Sequence, residues 1–248
     1  MLTTAPGYDV FVDPPAPGAA NMERDVALLD ACAAGTIAGV VRLYSFSPPC
    51  LSLGRLQPGA DVDVTACERD GVDVVRRPSG GRAVLHDDEV TYAVVCRTSD
   101  PVFGGNVLES CRLIHAAVAA GVARLGVETA EQCLSPDERA AARERWRIAD
   151  CFARPAAHEL IDKLGRKLVG SAQARRRGAL LQHGSVLLGP PRAAMYLHDA
   201  AQRPSRGGVR ELLGRHVTRE ELGMALLEGF VTSISSRSCA VNHVRPTC

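Results

Sequence analysis

Two short stretches hold the residues best suited to chemistry. Cys151 lies in Ala149-Asp150-Cys151-Phe152-Ala153-Arg154-Pro155, and Lys167 in Gly165-Arg166-Lys167-Leu168-Val169-Gly170-Ser171-Ala172-Gln173. A loop cysteine near Arg and Lys can have its thiolate stabilised, and the thiolate is the nucleophile. The chain has nine cysteines, so Cys151 also fits the blander description of a small, inert, buried hydrophobe. Lys167 follows a tight turn and precedes Gly170-Ser171-Ala172, three small residues that leave room for a ligand against a strand. Read alone, it is also what a surface lysine on a hairpin looks like. His86 and His183 each close an apolar run; each is a candidate general base or a hydrogen-bonded structural group.

A third stretch carries charge and glycine together. Residues 74–95 run from Val74-Val75-Arg76-Arg77 through Pro78-Ser79-Gly80-Gly81-Arg82 into Ala83-Val84-Leu85-His86, and then past Asp87-Asp88-Glu89 into Val90-Thr91-Tyr92-Ala93-Val94-Val95. Pro78 cannot donate to a sheet ladder, and Gly80-Gly81 permit positive φ and close approach of a ligand. With arginines on both sides, such a turn can hold a carboxylate, a phosphate or the carbonyl of an activated acyl group. It can equally be a β-turn with solvated arginines.

These groups need a scaffold. Val10-Phe11-Val12 reads as an edge strand. Asn21 reads as the N-cap of a helix to about Ala34, stopped by Gly35. Residues 40–46 and 50–57 read as strands, 62–70 as a short helix, and 74–95 as strand, glycine turn, strand, acidic turn, strand. Residues 106–125 form the clearest helix pattern, and Ser135-Pro136-Asp137-Glu138 marks another helix start. Residues 159–188 read as three strands turning at Leu164-Gly165-Arg166 and Arg175-Arg176-Arg177-Gly178. Helices follow at 191–199, 209–213 and from the Thr218 capping box onward. The order implies an α+β fold built on a mixed β-sheet flanked by helices, in one domain over 1–232. Residues 233–248 lack periodicity and are expected to be a disordered tail.

The 248 residues suffice for a substantial core, and a net charge of +1 argues against bulk nucleic-acid or membrane-surface binding. No apolar run approaches the ~18–20 residues of a membrane helix, and the N-terminus lacks a cationic region before an apolar one, so a cytoplasmic location is expected. The cysteines are dispersed, odd in number and without a Cys-x-x-Cys pair, which disfavours a disulfide framework or a metal site.

In combination, the chain resembles the lipoate–protein ligase and octanoyltransferase family, which shares a catalytic fold with biotin ligases. Arg76 to Asp87, Gly165 to Gln173 and Leu181-Gln182-His183-Gly184-Ser185-Val186-Leu187-Leu188 carry the resemblance, with weaker support from Leu51-Ser52-Leu53-Gly54-Arg55-Leu56-Gln57. It spans roughly residues 8–232. Cys151, Arg82 and Gln182-His183-Gly184 resemble the cysteine-dependent octanoyltransferase branch. The Asn-Asp pair usual in the ATP-dependent ligases is missing, and after Leu188 there is room only for a few helices rather than a ligase's extra domain. Two departures stand out: the spacing from Cys151 to Lys167 is about one residue longer than the family's, and the chain beyond Ser233 matches no recognised segment.

The resemblance implies a biotin/lipoate ligase-like catalytic fold and a two-step acyl transfer. Cys151 would take an octanoyl group from octanoyl-acyl carrier protein and pass it to a lysine of an apo lipoyl domain, the glycine-cleavage H protein being the first expected acceptor. Lys167 would hold the acyl carbonyl, assisted by backbone amides at Gly80 and Gly81, with His86 helping to manage the proton. Arg77, Ser79, Arg82, Gly170 and Ser171 complete the expected substrate site, and Leu53 and Val84 the apolar tunnel. No metal or cofactor is expected, because a thioester is already activated. The alternatives are an ATP-dependent lipoate ligase, an amidotransferase between lipoyl domains, and a non-catalytic fatty-acyl- or lipoate-binding protein.

Overall fold

The computed structural model describes residues 2–131, 150–152, 159–198 and 207–243. In chain order the strands are β1 (Leu2–Ala5), β2 (Tyr8–Val12), β3 (Gly39–Tyr44), β4 (Cys50–Leu53), β5 (Asp73–Arg76), β6 (Val84–His86), β7 (Glu89–Arg97), β8 (Ala130–Glu131), β9 (Leu160–Ile161), β10 (Val169–Arg176) and β11 (Ala179–Leu187). The helices are α1 (Gly18–Ala34), α2 (Val64–Asp70), α3 (Val107–Ala123), α4 (Val209–Leu213) and α5 (Arg219–His243). Six strands form the main sheet in the order β1-β2-β3-β7-β11-β10, parallel only between β2 and β3. A smaller sheet has the order β5-β4-β6. The expected α+β mixed-sheet architecture is the one observed.

Both faces of the main sheet are covered, and this explains why β7 and β11 are apolar almost without alternation. Eight of the nine residues of β7 and all nine of β11 are buried. Val41, Leu43, Tyr92 and Val94 pack on α3 and α5 through Ile114, Val118, Leu226 and Phe230. The opposite residues Val40, Tyr44, Ala93 and Val95 pack on α1 through Met22, Leu29 and Cys32. On that second face the small sheet closes over one end, and the space between the sheets becomes the site.

Several expectations change. The run 74–95 has its three expected strands, but they do not pair with one another: β5 and β6 both pair with β4, in parallel and antiparallel register respectively, and β7 belongs to the other sheet. The glycine turn is therefore a crossover above β4, and close approach is what it requires. A Cβ on Gly54 would collide with the carbonyl of Gly81. Helix α1 starts at Gly18 with Pro17 at its cap position, not at Asn21. Asn21 is buried inside the helix, where its amide donates to the carbonyls of Ala16 and Ser45 and its Oδ1 accepts from Arg42. Only a 3₁₀ turn, Ala193–Tyr196, forms in the expected 191–199 helix. The tail is corrected as well: α5 continues past residue 233 to His243, and Ile234 is fully buried in the core. Its polar, aperiodic sequence hid this because the helix is held by one packed face rather than by a clean stripe. The helix start at 135–138 and its continuation to 147 lie outside the described residues.

Helices α3 and α5 cross backbone to backbone. A Cβ on Gly229 would sit 2.5 Å from the Ala117 carbonyl oxygen and 2.5 Å from the Gly121 nitrogen. Gly229→Ala is expected to lower stability by about 1–3 kcal/mol in urea unfolding, although alanine favours a helix by ~1 kcal/mol, because the helices must separate. An unchanged or higher unfolding midpoint would refute this account of the crossing.

Candidate active site

Cys151 and Lys167 meet. The Lys167 ammonium donates to Cys151 Sγ at 3.2 Å, to the Cys151 carbonyl oxygen at 3.0 Å and to Glu159 Oε1 at 2.6 Å. The cysteine is held by its own backbone: its N–H donates to the Ala83 carbonyl at 2.9 Å, and Asp150 bridges to Ala83 beside β6. Phe152 folds inward against Gly170, where a Cβ would come 2.9 Å from the ring, and the ring lies 5.2 Å from the Lys167 nitrogen. Burial by itself would pull the pKa of Lys167 down; the charges of Cys151 and Glu159 outweigh it and hold the lysine above its ordinary value. Lys167 is thus a fixed cation, suited to stabilising anionic sulfur or oxygen and unsuited to acting as a base.

The glycine turn is organised by its arginines rather than merely charged by them. Arg77 is buried and donates to the carbonyls of Ser52, Gly80 and Arg82 and to Ser52 Oγ. Arg76 binds the carbonyls of Gly54, Arg55 and Gln57. Arg77 therefore clamps the turn to β4, and Arg76 ties the end of β5 to the loop after β4; Arg77 still lines the cavity, contributing charge rather than free donors. Gly80 and Gly81 are exposed at the turn, with Arg82 half-buried beside them.

Behind the turn run two buried hydrogen-bonded lines, each centred on a histidine. Ser79 Oγ lies 2.5 Å from His183 Nε2, and His183 Nδ1 lies 3.0 Å from Asp25 Oδ2. Asp25 also accepts from Arg42 at 2.7 Å and from the Tyr44 hydroxyl at 2.8 Å. With Asp25 accepting from every side, His183 carries its proton on Nδ1 and Ser79 donates to Nε2. Burial lowers the His183 pKa despite Asp25, so the ring is neutral. In the second line Ser52 Oγ is 2.8 Å from His86 Nε2, and His86 Nδ1 is 2.9 Å from Glu89 Oε1. Both rings reach the cavity with both nitrogens already engaged by protein groups.

A small cavity of about 40 Å³ opens between these groups. Cys151, Gly170 and Val84 line one part, Arg77, Gly81 and Ser171 another, and Met22, Tyr44, Thr91 and His183 lie further in. Of the sequence-predicted residues, Arg77, Gly81, Val84, His86, Cys151, Gly170 and Ser171 line it, and Lys167, Ser79, Gly80 and Arg82 do not. Leu53 packs with Leu51 and Val62 in the core of the small sheet. Ser171 borders the cavity, and its hydroxyl pairs with His115 Nε2 at 2.8 Å. Among the described residues no cluster of His, Cys, Asp or Glu is placed to hold a metal ion.

Residues 17–231 match the family model described as the lipoyl protein ligase A/B catalytic domain. The chain belongs to this family. Within it, the chain is 39% identical to the octanoyltransferase LipM of Kyrpidia tusciae, covering 88% of this chain and 83% of that protein. It is 37% identical to the LipM of Geobacillus kaustophilus, with 86% and 81% covered. Among solved structures, a bi-partite lipoate protein ligase from Thermoplasma acidophilum superposes with a TM-score of 0.64 at 19% identity, covering 95% of this chain and 92% of that one. A lipoate-protein ligase A bound with ATP superposes at 0.62 and 19%, covering 95% and 94%. The protein is thus an acyltransferase of the lipoyl ligase A/B family, and the fold is that of the lipoate ligase catalytic domain.

The family's motif segments supplied Cys151, Lys167, Arg77 and the glycines. Sequence reading missed Asp25, Arg42, Glu89 and Glu159, ordinary charged residues in amphipathic or loop segments whose burial no local pattern reveals. His183 provides a pH test. The unfolded chain protonates a histidine near pH 6.5, whereas folded His183 resists protonation. Its contribution to stability is present above about pH 6.5 and is lost as the pH falls, by up to ~1.4 kcal/mol per pH unit. Urea unfolding from pH 7.5 to 5 should show a shallower acid loss for His183→Gln than for wild type; equal slopes would refute the neutral assignment.

Proposed function

We propose that this chain transfers an octanoyl group from octanoyl-acyl carrier protein to a specific lysine of an apo lipoyl domain, through a thioester on Cys151, in lipoate biosynthesis. The observation that carries the reading is the 3.2 Å contact between Lys167 Nζ and Cys151 Sγ, with Cys151 at the wall of the cavity. The identity to octanoyltransferases over most of both chains supports the acyl group. The glycine-cleavage H protein is the proposed acceptor, on the strength of the family resemblance.

In the first step the Cys151 sulfur attacks the thioester carbonyl, its bond to carbon forms, and the carrier thiolate leaves and takes a proton. Lys167 faces the oxygen that gains charge in the tetrahedral intermediate. In the second step the neutral amine of the acceptor lysine attacks the acyl-enzyme, the Cys151–carbon bond breaks, and an amide remains. The amine's surplus proton balances the released thiolate. Burying about six methylenes of the tail contributes roughly 5 kcal/mol gross at ~0.8 kcal/mol each, enough to hold an eight-carbon chain and to discriminate length coarsely.

Mixing the protein with octanoyl-carrier protein and measuring intact mass should show one octanoyl adduct without ATP, and Cys151→Ala should show none. Lys167→Met should acylate about 100- to 1000-fold more slowly. An adduct on Cys151→Ala, or acceptor modification that proceeds only with free acid and ATP, would overturn the covalent mechanism.

A further inference from the structure

We propose that a groove along β10, the edge strand among the described residues, binds the phosphopantetheine arm of the acyl donor, with Arg175 holding its phosphate. This assignment rests on the thioester-donor reading above. The groove is continuous with the acyl cavity: Gly81, Ser171 and Ala172 line both. It runs along β10 away from Gly170, which lies beside Phe152 and the Lys167 side chain. From Gly170 to Arg175 the strand rises about 16 Å at ~3.3 Å per residue, so an occupant must be long and thin. A single lysine side chain of an acceptor domain is too short to fill it.

The chemistry along the groove matches such an arm in order. The two amide groups of pantetheine meet the backbone of β10, an edge strand that among the described residues leaves alternate N–H and C=O groups unpaired. The methyl-bearing carbons meet Val107 and Cys111 of α3. Val107 is 59% exposed, a large apolar side chain without cover. At the far end stands Arg175. Its guanidinium donates to the Gly105 carbonyl at 2.9 Å, to Ser110 Oγ at 2.7 Å and to Gln173 Oε1 at 3.2 Å. All three acceptors are neutral, and among the described residues no carboxylate pairs with it, whereas the next residue, Arg176, is neutralised by Asp30. Arg175 is therefore a cation fixed in direction with its charge uncancelled. Three of its five N–H groups are used, and two remain for an anion.

The test compares octanoyl-phosphopantetheine with octanoyl-pantetheine as donors, reading acylation of Cys151 by intact mass against time. The phosphorylated donor should show about tenfold higher kcat/KM in wild type. In Arg175→Gln that ratio should fall to about one, and Arg175→Lys should recover part of it. A wild-type ratio near one, or a Gln variant in which both donors slow in step, would overturn the assignment. So would a variant whose only change is a raised KM for the apo lipoyl domain, which would give the groove to the acceptor. If neither donor acylates wild-type Cys151, the acyl-transfer reading itself falls; if both do so equally, only the groove assignment falls.

Discussion

The structure depends on keeping the ammonium of Lys167 charged where almost no water reaches it. Burying an unpaired cation costs several kcal/mol, and removing one partner of a buried pair typically costs about 3–5 kcal/mol. Glu159 at 2.6 Å and the sulfur and carbonyl of Cys151 meet that demand. The consequence reaches well beyond the pair. Residues 150–152 must dock against Ala83 to bring Cys151 in, Phe152 must lie flat over residue 170, and position 170 must be glycine for the ring to fit. One electrostatic requirement thereby ties a loop, a small sheet and the edge of the main sheet together.

The same economy of buried charge explains the glycine turn. Two adjacent arginines read as a surface built to attract anions, yet both guanidinium groups are turned onto backbone carbonyls. A turn rich in glycine has little side-chain material with which to hold its shape, and Arg77 supplies the missing cross-links while Arg76 ties down the neighbouring loop after β4. Behind it, Arg42, Asp25 and Tyr44 fix the tautomer of His183, which in turn orients Ser79. The parallel line through Glu89, His86 and Ser52 ends on Arg77. Two histidines that read as candidate bases are the middle links of hydrogen-bonded lines that reach the turn through Ser79 and Arg77.

The division between what is legible in sequence and what is not follows from the range of the interactions. Alternating and helical apolar patterns, glycine stops and caps are local, and they set the α+β class, the clear helix over 106–125 and the hairpin between β10 and β11. The family resemblance, carried by Arg76 to Asp87 and Gly165 to Gln173, pointed to Cys151, Lys167 and the turn. Tertiary structure alone decided that β5 and β6 flank β4 rather than each other, because one apolar strand offers either edge to any partner. It also decided that α5 runs to His243 and that Leu53 belongs to a core rather than a tunnel. Above all it chose the partners of the buried charges. Asp25 and Glu159 have the same side chains as any solvated carboxylate, and only folding sets one against Arg42 and His183 and the other against Lys167. Charge pairing acts through space between residues distant in the chain, so no pattern of neighbours can announce it.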